Sequence, residues 1–378
     1  MCTVVVAGAG PAGLRTAALL AKQGWEVTVF EEHAQVGIPE NCSGLFSVSG
    51  LKELGIDASA CTVNEIYGAD IFSPSGERLT IEKNEPVAVV VKRSEFDKML
   101  FEEAIKNGAQ VELNSKLIDV RQENIFFQRG KRGELRKAKI VVGADGVLST
   151  AREIAGITVD KRFFLQSYQE RVQGSFERKK VKVYLGSFAP GFFAWVIPEC
   201  ENIARIGIAT LLGINAKDAF ENFKKRLMIE FETIEAKSFM IACGPPLEEP
   251  CIKNILLVGS AAFQAKASTG GGVIIGLNAA EKCAHAIAAH LRGEAKLDEY
   301  VKMLKPINKD LWTHWKLRSY LNSLSDASID KLIAKANRLG LGEFLSEHGD
   351  MDWPSRFIGQ AMRKPRFWGM LPLLLRLR

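Results

Sequence analysis

The stretch Gly8-Ala-Gly10-Pro-Ala-Gly13 stands between an apolar run, Thr3 to Ala7, and an apolar helical pattern from Leu14 to Gln23 that Gly24 closes. Few folds accommodate that arrangement. In a strand–turn–helix unit the first glycine permits the tight turn and the second lets the backbone approach a pyrophosphate. The third lets the helix lie close against the strand. Free N–H groups and the positive dipole end at the helix start suit phosphate, with Pro11 and Ala12 in the first turn. A second strand, Glu26 to Phe30, ends at Glu31, followed by Glu32. Glu31 is placed to accept both ribose hydroxyls of an adenosine, and an acid there repels a 2′-phosphate, which disfavours NADP. The chain therefore opens as a Rossmann-type βαβ unit for a dinucleotide.

Beyond this unit the chain alternates between two kinds of material. Residues 35–50, rich in Gly, Pro, Ser and Asn, read as a long loop. Tyr67 to Phe72 and Arg78 to Glu82 flank the turn Ser73-Pro-Ser-Gly76 as a hairpin, and Val87 to Val91 leads into a helix from Glu95 to Asn107. Val111 to Leu113, Leu117 to Gln122 and Ile125 to Arg129 read as an antiparallel meander, and Ile140 to Val142 as a buried strand delivering Gly143-Ala144-Asp145-Gly146. Further strands are expected near 182–185, 192–197 and 205–209. Asn215 caps a helix with Phe220, Phe223, Leu227 and Phe231 on one face. Ile255 to Val258 is a last buried strand before Gly259, the glycines 270–272 and a long apolar helix to about 291. The order predicts an α/β + β chain: a discontinuous Rossmann-type domain (1–60, 93–162 and 250–295) with an inserted antiparallel sheet for substrate (61–92 and 163–249), then a helical C-terminal region (296–378).

Composition excludes several classes. Apolar residues are 47% and charged residues 25% of 378, so neither disorder nor a small disulfide scaffold fits. The net charge of +6 is no nucleic-acid signature. Seven scattered cysteines form no C-x-x-C pair, and His285 and His290 are spaced poorly for a metal. No signal peptide and no 18-residue apolar run are read, which leads to an expectation of a cytoplasmic protein with reduced thiols. Arg363, Lys364, Arg366, Arg376 and Arg378 bracket Phe367, Trp368 and Leu371 to Leu375. That basic-aromatic tail fits peripheral contact with the inner membrane face as well as packing on the protein's own helices.

Three segments identify the dinucleotide by resemblance. Val91-Lys-Arg93-x-x-Phe96-Asp97-x-x-Leu100 and Gly143-Ala-Asp145-Gly146-x-x-Ser149-x-x-Arg152 resemble patterns of flavoproteins of the para-hydroxybenzoate hydroxylase fold. Leu257-Val-Gly259-Ser260-Ala-Ala262, followed by Thr269-Gly270-Gly271-Gly272-Val273, resembles the segment that wraps the flavin ribityl chain. The resemblance implies FAD, with Gly8 to Gly13, Glu31, Glu32, Arg93, Ala144 to Gly146, Gly259, Ser260 and Gly270 to Val273 around it. Amides at 270–272 would face the flavin N1–C2=O edge, where reduction places negative charge. Ser260 stands where this family usually has Asp.

Pro39-x-x-Cys42-Ser-Gly44, Pro190-Gly-Phe192-Phe193-Ala-Trp195-Val-Ile-Pro198, Leu297-x-x-Tyr300, Leu324-Ser-Asp326 and Arg363-Lys-Pro365 resemble the geranylgeranyl reductases, over nearly the whole chain. Phe193, Ile197 and Ser43 depart from the tyrosine, phenylalanine and glycine common there. The resemblance implies FAD-dependent saturation of isoprenoid C=C bonds, with hydride from flavin N5. It implies an apolar tunnel lined by Phe192, Phe193, Trp195 and Pro198, and a catalytic-loop residue in Cys42. No second G-x-G-x-x-G is present for a nicotinamide, so electrons are expected from a docking donor: ferredoxin, reduced deazaflavin or NAD(P)H. Two other readings remain at this point. Trp195-Val-Ile-Pro198 also resembles the W-x-I-P of flavin halogenases, within a fold shared with the monooxygenases, and Ser260 raises a flavin-binding lipid carrier without turnover.

Ser260→Asp is expected to tighten FAD by roughly fivefold to tenfold, as a neutral hydrogen bond becomes charge-assisted. Titration of the apoprotein with FAD reads the change, and equal or weaker binding would count against a ribityl contact at this position.

Overall fold

A computed structural model describes residues 2–227, 229–370 and 377. Val4-Val-Val6 is β-branched and apolar on both faces, as a strand covered on both sides must be. The strand Cys2–Ala7 lies between Val27–Phe30 and Arg132–Gly143, parallel to both, with Val5 opposite Thr28 and Val141. Ile255–Leu257 extends this sheet beyond Arg132–Gly143, and Gln110–Glu112 extends it beyond Val27–Phe30. Val4 and Val6 pack on the first helix, Pro11–Ala21, and the long helix Val273–Leu291, through Leu14, Ala17, Ile275 and Ala279. Val5 and Ala7 face the opposite way, toward Phe30, Phe127 and Leu257.

The second sheet has seven strands, in the order 231–242, 164–174, 203–211, 194–198, 180–184, 68–72 and 78–82. Its two faces separate by strand alternation. Ala194, Val196, Ala204, Ile206 and Ile208 pack under the helix Ala216–Lys224 through Phe220 and Phe223. Trp195, Ile197 and Ala209 face the other way, where Ile329, Ile333 and Ala336 of the helix Asp326–Arg338 join them. The C-terminal helices thus close the open face of this sheet. Among the described residues no helix is long and apolar enough to cross a membrane.

Several local expectations are corrected. Residues 35–50 contain more than a loop: Leu45–Ser47 pairs with Ala88–Val91, which pairs in turn with Thr62–Ile66. The helix Val48–Glu53 comes next, capped by Ser47 through Gly50 N. These elements are three and six residues long with Gly and Ser among and beside them, so tertiary pairing and not local propensity forms them. Phe231 lies not on a helix face but at the start of the strand Phe231–Ala242, antiparallel to Phe164–Gly174. Gln110–Glu112 is no part of a meander and joins Val27–Phe30 in parallel. The strand ending at Gly143 begins at Arg132, because its polar outer half pairs with Asn124–Arg129.

Two glycines of the opening turn have different physical causes. A Cβ on Gly13 would stand 2.1 Å from the Gly8 carbonyl oxygen, whereas one on Gly10 would meet nothing within 4 Å. Gly13→Val is therefore expected to abolish FAD retention and lower stability by about 1–3 kcal/mol. Gly10→Ala should leave apoprotein stability unchanged while weakening FAD. Thermal melts with and without FAD separate the two, and equal losses would remove the distinction.

Candidate active site

One cavity of about 1340 Å³ runs along the seam between the two sheets and under the C-terminal helices. At one end lie Gly8, Gly10, Pro11, Ala12, Glu31 and Glu32, joined by Ala144, Asp145, Gly146, Gly259 and Ser260. Gly13 is not on the wall; it is buried behind it against Gly8. The helices starting at Pro11 and Val273 have glycine N-caps, no side-chain cap and no acid in the first turn. Their first N–H groups and dipole ends are thus left for an anion. With open space beside Gly10, these residues fit a dinucleotide.

The walls of this end are braced by side chains. Glu31 accepts from Ala9 N at 2.7 Å and from His33 N at 3.0 Å, which ties the second strand to the glycine turn. Asp145 accepts from Ser149 Oγ at 2.5 Å and Ala151 N at 2.9 Å, and burial raises its pKa despite these bonds. Arg152 donates to Ala261 O at 3.1 Å and Val147 O at 2.9 Å, joining the 144–152 segment to the Gly259–Ala262 turn. Gly259 N donates to Gln264 Oε1 at 2.6 Å, Gln264 Nε2 to Tyr300 Oη at 3.0 Å, and Tyr300 to Leu257 O at 2.9 Å. Arg93 reaches the wall but is held by Asp97 at 2.7 Å. Burial works against the Arg93 charge, yet Asp97, and then Cys42, more than offset it and raise its pKa.

Farther along, the lining turns apolar. Phe192 and Phe193 stack at 4.1 Å, and Trp195 meets Phe193 edge-on at 6.0 Å while its Nε1 donates to Gln169 at 3.0 Å. Pro198 departs from the expectation: it is not on the wall, and its carbonyl accepts from Asn64 at 2.9 Å. With Trp195 and Ile197 facing the cavity, strand alternation turns Pro198 away. Ile71, Val183, Phe239, Ile241, Phe344, Leu345 and Phe357 extend the apolar wall. Cys42 is half-buried on the wall, its Sγ accepting from Gly44 N at 3.3 Å. That loop is held by Arg205, which donates to Ser43 O at 2.6 Å, to Val91 O at 3.1 Å and to Glu199 at 2.6 Å.

Sequence reasoning missed the polar groups that the C-terminal region contributes. Arg318 donates to Ala267 O, Ser268 O and Phe192 O, with its guanidinium 4.5 Å from the Phe192 ring centroid. His314 bonds Ser268 Oγ through Nδ1 at 2.6 Å and the Asp352 carbonyl through Nε2 at 3.1 Å. A carbonyl only accepts, so Nε2 carries the proton and Nδ1 accepts from Ser268. No sequence signal marks these residues, which are isolated in the chain and meet only in the fold. Of the basic-aromatic tail, Trp368 is exposed and Phe367 is buried against Phe344, so the tail's aromatics divide between surface and core. Leu371 to Leu375, Arg376 and Arg378 lie outside the described residues.

The FAD binding domain family model matches residues 1–186. Digeranylgeranylglycerophospholipid reductase of Methanocaldococcus jannaschii is 30% identical over 355 residues, covering 87% of this chain and 89% of that protein. Its namesake from Thermoplasma acidophilum is 28% identical over 359 residues, covering 87% and 90%. The solved structure of a geranylgeranyl bacteriochlorophyll reductase-like protein from Thermoplasma acidophilum has a TM-score of 0.85 at 23% identity, over 98% of each chain. A myxobacterial chondrochloren halogenase has a TM-score of 0.70 at 16% identity, over 94% of this chain and 92% of that one. At these identities the two solved structures establish the fold alone.

Burial, and then Lys266, push the His314 pKa down to about 4 from an ordinary 6.5. The unfolded chain then binds a proton that the folded chain refuses, so stability is lost as pH falls from about 6.5 toward 4. The contribution at neutral pH is about 3 kcal/mol. Urea midpoints of wild type and His314→Gln across this window should show a shallower pH dependence in the variant, and parallel curves would contradict it.

Proposed function

This chain belongs to the digeranylgeranylglycerophospholipid reductase family, and from that membership we propose that it is an FAD-dependent reductase saturating C=C bonds in the isoprenoid chains of lipids. The observation that carries the reading beyond family membership is the continuity of one cavity from a dinucleotide cradle into an apolar, aromatic-lined arm. A prenyl chain offers no polar handle along its length, so shape and apolar burial must position its double bond.

FAD, when bound, supplies a hydride equivalent to one carbon of the alkene. The chain's own residues have the other tasks. Phe192, Phe193 and Trp195 give the alkene an apolar wall that keeps water out, and Arg318 holds the first two in place from behind. A proton must reach the second carbon. Cys42 is our candidate for the group that bears it, with Arg205 as a positioning residue because it grips the Cys42-Ser43-Gly44 loop through Ser43 O. The chain needs an external electron donor to reload the flavin; ferredoxin, reduced deazaflavin and NAD(P)H are the classes proposed. Exposed Trp368, beside Arg366, supports a peripheral contact with a lipid surface.

The test is anaerobic. Holoenzyme reduced with dithionite and freed of excess reductant is mixed with a digeranylgeranyl glycerophospholipid. Flavin absorbance should return as the lipid gains two hydrogens per saturated bond by mass spectrometry. A flavin that stays reduced in the presence of prenyl lipids, yet reoxidises in oxygen with hydroxylation of an apolar substrate, would turn the assignment toward a monooxygenase.

A further inference from the structure

Behind the glycines 270–272 lies a buried ion pair. Lys266 Nζ donates to Asp352 Oδ1 at 2.5 Å and to Met351 O at 3.2 Å, and the two side chains are 5% and 0% exposed. The backbone of Lys266 shapes the glycine loop: its N–H donates to Gly271 O at 3.0 Å and its carbonyl accepts from Gly270 N at 2.7 Å. A Cβ on Gly271 would stand 3.3 Å from Lys266 Nζ, so the ammonium sits against that glycine, and Lys266 itself reaches the cavity wall. The carboxylate is on the far side, where Ser47 Oγ donates to Asp352 Oδ2 and a Cβ on Gly50 would stand 2.9 Å from the same oxygen. The pair is therefore oriented with its positive end toward the glycine loop. Arg318 adds a second buried cation at the neighbouring residues 267 and 268, where it donates to three carbonyls.

We propose that the oriented Lys266–Asp352 pair sets the reduction potential of the bound flavin, Lys266 being the charge that favours the reduced form and Asp352 the charge that tempers it. The inference rests on the reading that the 270–272 loop faces the flavin N1–C2=O edge. Two electrons and one proton delivered to the flavin leave one negative charge at that edge, and a fixed ammonium in a site of low dielectric stabilises it. The electrons come from the external donor in turnover and from dithionite in the test. Asp352, drawn toward its charged form by Lys266 and by Ser47 against the effect of burial, keeps the ammonium in place and lowers its net field.

The pair makes opposite predictions for two substitutions. Asp352→Asn removes the tempering charge and should raise the midpoint potential. Lys266→Met/Asp352→Leu removes both charges together, an exchange that buried ion pairs often tolerate without loss of stability, and should lower it. Each change is expected to shift the equilibrium between oxidised and reduced flavin roughly tenfold, which is about 30 mV for a two-electron couple. Midpoints are read by reductive titration of full-length holoprotein with dithionite against a reference dye, with bound FAD counted by absorbance. The order Asp352→Asn above wild type above the double variant supports the proposal. Should Asp352→Asn fail to fold, a downward shift in the double variant alone supports it. Equal midpoints in FAD-loaded proteins, or shifts of the same sign, overturn it while leaving the reductase assignment intact. A wild-type chain that binds no FAD overturns the site reading and this proposal with it.

Discussion

The structure depends on close backbone contact at one seam. The turn at Gly8 to Gly13 and the segment beginning at Ala144 touch so closely that a Cβ on Gly8 would stand 2.4 Å from the Ala144 carbonyl oxygen. Gly259 lies near enough that its Cβ would be 3.0 Å from Ala12. Three segments more than a hundred residues apart in the chain are thereby brought to the same end of a parallel sheet. The helix starts that this leaves uncapped have the free N–H groups and dipole end that suit an anion. Side chains at these contacts would separate the segments, and the cradle would be lost with them.

The apolar arm of the cavity must be closed as well, and the C-terminal helices close it through residues such as Leu341, Phe344 and Phe357. Arg318 grips the carbonyls of residues 267, 268 and 192 at once, so one guanidinium joins the loop before the glycines 270–272 to the aromatic wall. Tyr300 braces the Gly259 turn from below through Gln264 and Leu257. Arg205 does the equivalent task from the seven-stranded sheet, fixing the Cys42 loop while Glu199 balances its charge. Each is buried, and each joins elements distant in sequence. Burial makes such bonds worth more when satisfied and costly when broken. The cavity is accordingly built from three parts of the chain that cannot shift independently.

Much of this was legible in the residues. Period-two and β-branched patterns marked most strands, and the glycine turn with Glu31 pointed to a dinucleotide. The 143–152 and 257–273 segments marked the flavin by resemblance. The polar outer half of Arg132–Gly143 and the three-residue strand Leu45–Ser47 carry no local signal, because pairing partners and not propensity create them. Pro198 lies off the cavity wall because a motif names consecutive residues while a strand sends them to opposite faces.

Fold class, cofactor and family are readable from the residues, since these reside in local patterns: a glycine spacing, a strand's periodicity, a motif that leads into a helix. Long-range packing sets which charges stand beside the glycines 270–272 and which groups close the apolar arm of the cavity. Lys266 and Asp352 are 86 residues apart, and Arg318 is 126 residues from Phe192. No local pattern reports such a meeting, because it is set by how helices pack over a sheet and not by what either segment prefers on its own.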